Sequence, residues 1–391
     1  MAKKIKIMRI IGRLNIGGPA INAVFLTEGF NNNSFESLLV AGQVGEAEGD
    51  MSYLAQDKNI APVIIPEIRR EINFLNDIGA FFKLYRLIVK FQPDIIHTHT
   101  AKAGTIGRLA AILFNMLHKR KIAIVHTFHG HVLSGYFNKI STYFFIFVER
   151  AIANFTDIII AVSETVRKDI LSLGIGREEK IKVVHLGFEL DKFLAVGPRQ
   201  MSQVVNIGIV GRLVPIKNHK MFLDAAKLLL TEPRTPNPEP RFFIIGDGES
   251  RKDLEGYVQE LGIAGKVKFL GWQTDLVKVY EDLDIVALTS LNEGTPVSLI
   301  EALASSRAVI ATDVGGVRDI VGARVYPEIA ERGILVKSGD IDSFVSGLKL
   351  LARDSDLRKR IGVSGREFVR ERFDRKRLIK DMEMLYNNLL I

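Results

Sequence analysis

The chain has 391 residues, 47% of them hydrophobic and 25% charged; the length suggests two domains, and the balance excludes a disordered chain. It contains no cysteine, which excludes disulfide scaffolds, thiol nucleophiles, iron–sulfur clusters and cysteine zinc sites. The formal net charge of +8 suits an anionic partner, a nucleotide or a phospholipid surface, whereas a single tryptophan and no basic–aromatic module argue against nucleic acid.

Met1–Lys6 leads directly into a strand pattern at Ile5–Ile11, so no secretory signal is read there. Further strand patterns lie at Ser37–Val40, Val63–Ile65, Ile95–His97, Ile122–His126, Ile158–Val162 and Lys182–Val184. A second series follows at Val205–Val210, Arg241–Ile245, Val267–Leu270, Ile285–Thr289, Val309–Thr312 and Gly333–Val336. These runs are almost continuously apolar, as in parallel strands buried on both faces. Helical patterns separate them, so the fold class is α/β with doubly wound sheets. Both series open alike, with Ile10-Ile11-Gly12-Arg13-Leu14 and Ile209-Val210-Gly211-Arg212-Leu213. Two Rossmann-like domains are therefore expected, 1–197 and 198–372, broken at Gly197-Pro198. Proline-rich Thr231–Pro240 reads as a surface loop, and 373–391 as one amphipathic helix. The longest apolar stretch, Tyr143–Val162, is interrupted by Glu149, Arg150 and Asp157, so no membrane span is expected.

Open α/β sheets bind ligands beyond the carboxyl ends of their strands, so the loops there are the candidates. Two domains facing each other would put a cleft between those edges. After the first strand, Gly17-Gly18-Pro19 combines close backbone approach with a helix start whose free N–H groups suit phosphate; a tight turn explains it equally well. Six histidines fall between His97 and His131. A metal site is one reading, but no His-Glu-x-x-His helix occurs. His118 sits beside Lys119 and Arg120 at a helix end; His97 and His126 read as hydrogen-bonded strand-end residues, and His129 as a ligand-facing imidazole. In the second half, Arg212 and Lys217 follow a strand five residues apart and can be aimed at one diphosphate, as a fork and a point charge. The richest segment is Glu293-Gly294-Thr295-Pro296-Val297-Ser298-Leu299-Ile300-Glu301. A helix starting near Pro296 leaves the Val297 and Ser298 amides open to an anion, and two acids beside such a site suit hydroxyl-rich ligands.

Together these residues resemble the retaining glycosyltransferases of family 4, which have the two-domain GT-B fold. The resemblance runs over nearly the whole chain: Gly17-Gly18, His97-Thr98-His99, Phe128-His129-Gly130, Ala161-Val162-Ser163-Glu164, Gly211-Arg212 with Lys217, Gly246-Asp247-Gly248, the two-glutamate segment, and Asp313-Val314-Gly315-Gly316. It implies that Arg212 and Lys217 hold the donor diphosphate, that Glu293 binds the donor sugar and Glu301 the ribose, and that His129 stands in the catalytic centre. It also implies that the final helix crosses back to the N-terminal domain. The pattern departs from the family's at Ala304-Ser305-Ser306-Arg307-Ala308, where Ala-x-Gly-x-Pro is common, and at Leu186-Gly187, where Asn-Gly is common.

The expected reaction is transfer of a sugar from a nucleoside diphosphate sugar, with UDP expected, to a glycan or lipid-linked acceptor in cell-envelope glycan synthesis. Retention at the anomeric carbon is implied by the resemblance. Arg212, Lys217, the Val297 and Ser298 amides and the first glycine loop would stabilise the leaving diphosphate, so no cofactor and no essential metal are expected; Asp282-Leu283-Asp284 precedes a buried strand. His99 and Lys102, near the start of the helix after the Ile95–His97 strand, are the candidates for acceptor binding. The stripe Phe81, Leu84, Ile88 and Phe91, opposite Lys83, Arg86 and Lys90, reads either as core packing with a basic outer face or as part of an anionic-membrane surface. With Tyr136-Phe137 and Tyr143–Phe147 it leads to an expectation of a cytoplasmic protein, peripheral at the inner membrane face. Two rivals are a nucleotide-sugar epimerase on the same fold and a nicotinamide oxidoreductase; the missing Gly-x-Gly-x-x-Gly argues against the latter.

Overall fold

The computed structural model describes residues 3–45, 49–69, 71, 73–130, 139–199, 203–231, 239–322 and 329–390. His131, Tyr136, Phe137 and most of the Thr231–Pro240 loop lie outside them. The chain divides into two compact units, residues 1–188 with 375–391 and residues 189–374. The first boundary therefore falls at Phe188/Glu189, nine residues before the expected Gly197. The reason is local: Arg366, on a helix of the second unit, donates to the carbonyls of Leu194 and, at 2.8 Å, of Val196, and so ties the connecting segment to that unit.

The first unit is built on a seven-stranded parallel sheet of β1 (Ile5–Arg13), β2 (Phe35–Gly42), β3 (Val63–Ile64), β4 (Ile95–His99), β5 (Ala123–Phe128), β6 (Ile158–Ala161) and β7 (Ile181–Val183), in the order β3-β2-β1-β4-β5-β6-β7. The strands are buried along most of their length because helices cover both faces. Leu84 and Ile88 of the helix Phe74–Phe91 enter the core with Met8, Ile96 and Ile124, flanked by Phe81 and Phe91. The last helix, Arg375–Leu389, belongs to this unit: Leu378, Met382 and Tyr386 pack with Ile7, Phe30 and Val125.

The second unit repeats the plan with β8 (Val204–Val210), β9 (Glu239–Ile245), β10 (Val267–Gly271), β11 (Ile285–Leu288), β12 (Ala308–Thr312), β13 (Ile329–Ala330) and β14 (Gly333–Val336), ordered β10-β9-β8-β11-β12-β14-β13. Strand β13 was not foreseen; it is two residues long and pairs antiparallel with β14 at the sheet edge, too short for any periodicity to register. Each expected strand exists, with ends shifted by up to two residues. The variant turn at Ser305–Arg307 closes with Ser306 in the left-handed region at φ 57°, where the family commonly has glycine. Among the parallel strands of both units the order reverses at one place, between β1 and β4 and between β8 and β11. The chain segments leaving those strands meet at the position where such sheets place their ligands.

Candidate active site

In the second unit the site grows from the carboxyl ends of β8 and β11. Leaving β8, the chain makes a short 3-10 turn at Pro215–Lys217 and passes through Asn218 at φ 49°. Two residues from the β11 side hold this turn. The Thr289 hydroxyl donates to the carbonyls of Lys217 and Asn218 at 3.1 and 3.0 Å, and the Leu291 amide donates to the Ile216 carbonyl at 2.9 Å. The result is an ion pair: Lys217 Nζ lies 2.5 Å from Glu293 Oε1, and the Ser290 hydroxyl donates to the same oxygen at 2.6 Å. Thr312, at the end of β12, donates to the Ser290 carbonyl at 2.6 Å and locks the segment from behind. Arg212 is half-buried nearby in sequence, and its guanidinium has no partner among the described residues.

The loop Asp313–Gly316 closes over Glu293. The Gly316 amide donates to the Glu293 carbonyl at 3.2 Å, and at Gly315, φ 50°, a Cβ would collide with that carbonyl. Only glycine permits this approach. Gly294 and Thr295 follow, and the Thr295 hydroxyl oxygen is buried without a partner among the described residues. The helix Val297–Ala304 begins after Pro296. Its Leu299 and Ile300 amides turn back to the Pro296 carbonyl, while those of Val297 and Ser298 take no backbone acceptor among the described residues. Glu301 is one turn further in, accepting a hydrogen bond from the Tyr280 hydroxyl at 2.9 Å. Burial lifts its carboxyl from the usual range to about 7, against the opposing pull of that bond and of Lys192. Tyr280, fully buried, was not singled out from the sequence, because no spacing signal marks a tyrosine that meets a carboxylate 21 residues away. Ser290 and Thr289 were missed for the same reason: hydroxyls at strand ends have no spacing signal.

In the first unit, Gly17 caps the helix Gly18–Gly29, with Pro19 in its first turn. The Gly12 amide, at the end of β1, donates to the Thr100 hydroxyl at 3.2 Å, which ties the glycine loop to the end of β4. Thr100 has φ 65°, an outlying conformation for a β-branched residue. The histidines separate into two kinds. His97 is fully enclosed, bonded to the Tyr386 hydroxyl at 2.6 Å and to Thr127 Oγ1 at 2.7 Å. His126 is bonded to Thr98 Oγ1 at 2.8 Å and lies under Gly104, where any Cβ would strike its ring. Both are satisfied core residues. His99 and His129 form a different pair, with His99 Nδ1 2.9 Å from His129 Nε2, and each keeps one ring nitrogen, Nε2 and Nδ1 respectively, with no partner among the described residues. Burial holds His99 well below the ordinary imidazole range and His129 at about 3, so both rings are neutral near neutral pH. His99, expected at the acceptor, is fully enclosed and turns its Nδ1 to His129. Lys102 is committed too: it pairs with Asp77 at 2.6 Å and donates to the Glu71 carbonyl.

Two family models together span most of the chain: Glycosyltransferase Family 4 matches residues 16–192, and Glycosyl transferases group 1 matches residues 203–368. The curated relatives include the UDP-Gal:alpha-D-GlcNAc-diphosphoundecaprenol alpha-1,3-galactosyltransferase of Escherichia coli, 28% identical over 83% of this chain and 82% of that protein. They also include the capsular polysaccharide biosynthesis glycosyltransferase CapM of Staphylococcus aureus, 27% identical over 87% and 88%. Among solved structures, Anabaena HepE in complex with UDP and glucose superposes with a TM-score of 0.79 at 19% identity, over 98% of this chain and 99% of that one. The sucrose-phosphate synthase of Thermosynechococcus elongatus gives 0.79 at 19% identity over 99% of both.

Proposed function

Because this chain is a glycosyltransferase of the family 4 type with the GT-B fold, we propose that it transfers a sugar, with retention, from a UDP-sugar to a lipid-linked or glycan acceptor of cell-envelope polysaccharide synthesis. The observation that carries the donor half of this reading is the Lys217–Glu293 pair beside an uncommitted Arg212 and the open amides of Val297 and Ser298. A carboxylate and a cation held side by side suit a ligand that joins a sugar to a diphosphate, the acid meeting the sugar and the cation the phosphates. Glu293 accepts hydrogen bonds from sugar hydroxyls, while Arg212, Lys217 and the helix amides face the phosphates. The buried Thr295 hydroxyl supplies a further donor and acceptor.

As the glycosidic bond breaks, negative charge grows on the leaving diphosphate. Fixed cations and amides aimed at that charge lower the barrier without reorganising. In this reading they take the place of a divalent metal, and no cofactor is used. Glu301 accepts from the ribose hydroxyls. In the first unit, His129 is neutral and its Nε2 is held by His99 Nδ1, which makes it that unit's candidate for the catalytic centre. The E. coli and S. aureus relatives support a cell-envelope acceptor by their names.

The first unit also carries a surface suited to a membrane. Phe74, Leu75 and Phe82 of one helix and Tyr143, Phe144 and Phe147 of another are all more than half exposed, on helices that flank Ala101–Leu117. Arg86 and Lys90 are exposed beside the first group, while Lys83 is paired with Glu67 at 2.5 Å. No described helix is long and apolar enough to cross a membrane. We read this surface as resting on an anionic leaflet, where a lipid-linked acceptor would be presented.

The deciding experiment is a thermal-shift screen of UDP, GDP and ADP and their sugars, followed by product analysis with the stabilising donor. Stabilisation by UDP and one UDP-sugar, with an α-linked product from an α-linked donor, is expected. Stabilisation by a different base, or an inverted product, would overturn the reading.

A further inference from the structure

The second unit has a cavity of about 350 Å³ far from the loops described above; Arg199, Asp284, Arg307, Asp356, Arg358 and Lys359 are among its lining residues. It lies at the amino ends of the strands. Asp284 immediately precedes β11 and Arg307 immediately precedes β12, whereas Glu293 and Gly315 follow the carboxyl ends of the same two strands. Strands of four and five residues put roughly 13–17 Å of sheet between the two places.

The charge balance of this cavity is unusual. Three guanidinium groups and one ammonium line it against two carboxylates. One of those, Asp284, is nearly buried and already engaged, accepting from the Asn206 amide at 2.8 Å and facing Arg199 at 3.4 Å. The other, Asp356, is exposed at the rim. Arg307 is only 2% exposed; it gives one bond to the Gly197 carbonyl at 2.5 Å and leaves its Nε with no partner among the described residues. Arg358 is turned to the carbonyls of Leu351 and Ala352 at 2.5 and 2.9 Å, and Lys359 is exposed with no ion pair among the described residues. Burial weakens the hold of Arg307 and Arg358 on their protons, the Asp284 carboxylate opposes this in part, and the neighbouring charge of Arg199 adds to it for both.

Holding several guanidinium groups together around one buried acid is costly, and a buried donor without a partner adds to the cost. An anion would relieve both. We propose that this cavity is a second ligand site, which binds a small phosphate-bearing anion, a phosphomonoester or diphosphate, separately from the donor loops. Arginine forks match phosphate oxygens in pairs, and a cavity of this size falls within the range of small-molecule sites, with room for more than a bare phosphate. The inference does not depend on the donor reading, because no residue is shared between the two places.

The test is calorimetric titration of the full chain with inorganic phosphate, pyrophosphate and a hexose phosphate, on the wild type and on Arg199→Ala, Lys359→Glu and Lys217→Ala. Both cavity substitutions avoid the buried Arg307, and melting curves check that each variant is folded. Expected is a binding component that weakens about tenfold or more in Arg199→Ala and Lys359→Glu and persists in Lys217→Ala, where only binding at the donor loops is lost, since each lost charge-assisted contact is worth at least that factor. Tighter binding of the hexose phosphate than of phosphate marks an ester ligand; equal binding marks the bare anion. Absence of binding in the wild type, weakening in Lys217→Ala alone, or equal weakening in all three variants or in none overturns the proposal.

Discussion

Lys217 and Glu293, 76 residues apart, form one unit: the ammonium and a carboxylate oxygen are 2.5 Å apart, with Ser290 on the same oxygen. The residue expected to neutralise phosphate and the residue expected to hold sugar therefore position each other. Lys217→Ala should lower kcat about a hundredfold or more, with a smaller change in KM, because charge aimed at a leaving group acts mainly in the transition state, a contribution of about 2.7–4 kcal/mol. The double variant with Glu293→Ala should lose less than the sum of the two single losses, by about 0.5–3 kcal/mol of coupling. Steady-state kinetics of the four proteins measure this. Additive losses would show that the pair does not act as a unit in turnover.

Glu301 titrates near 7 in the folded protein because it is buried. An unfolded glutamate titrates near 4.3, so the folded state binds the extra proton between these values. Stability should therefore fall as pH rises from about 4.5 to about 7 and then level off, as far as this group is concerned. Glu301→Gln should flatten that part of the melting-temperature profile. If the carboxylate accepts from ribose, UDP affinity should rise through about pH 7 in the wild type and lose that step in the variant. A UDP affinity with the same pH profile in both proteins rules out the ribose role.

Tyr386, on the last helix, links Arg9 and His97 through one hydroxyl, at 3.2 and 2.6 Å. Tyr386→Phe keeps the ring packing against Phe30 and removes only the hydroxyl. Because Arg9 and His97 are both fully buried, the expected loss is about 1–3 kcal/mol of unfolding free energy, read by urea denaturation. An unchanged denaturation midpoint would mean that the buried pair finds other partners.

The exposed aromatic residues of the first unit predict association with vesicles. Sedimentation with anionic vesicles should fall as salt rises, since the Arg86 and Lys90 contacts are screened. Phe74→Ser with Phe82→Ser, or Tyr143→Ser with Phe147→Ser, should weaken it at every salt concentration. Equal sedimentation with neutral vesicles, or none with anionic ones, contradicts the membrane surface.

Much of this architecture is legible in the linear chain. Runs such as Ile285–Leu288, and Ile7–Ile11 with only Arg9 interrupting, are buried on both faces, and parallel sheets covered by helices satisfy them. The repeated strand–glycine openings at Gly12 and Gly211 indicated two similar units, and the glutamate segment marked the end of β11. Tertiary structure decided the rest, because it depends on contacts between distant residues. The Lys217–Glu293 pair needs Thr289 and Leu291 to hold a turn seventy residues away. Whether a histidine is a core group or faces a ligand is settled by which strand or helix lies over it: Gly104 over His126, Tyr386 beside His97, and His99 behind His129. The titration of Glu301 likewise follows from its burial and from Tyr280, and local spacing carries no information about either. Periodicity reports which face of an element is buried; hydrogen bonding and desolvation at a site report which elements meet, and that is a property of the folded chain alone.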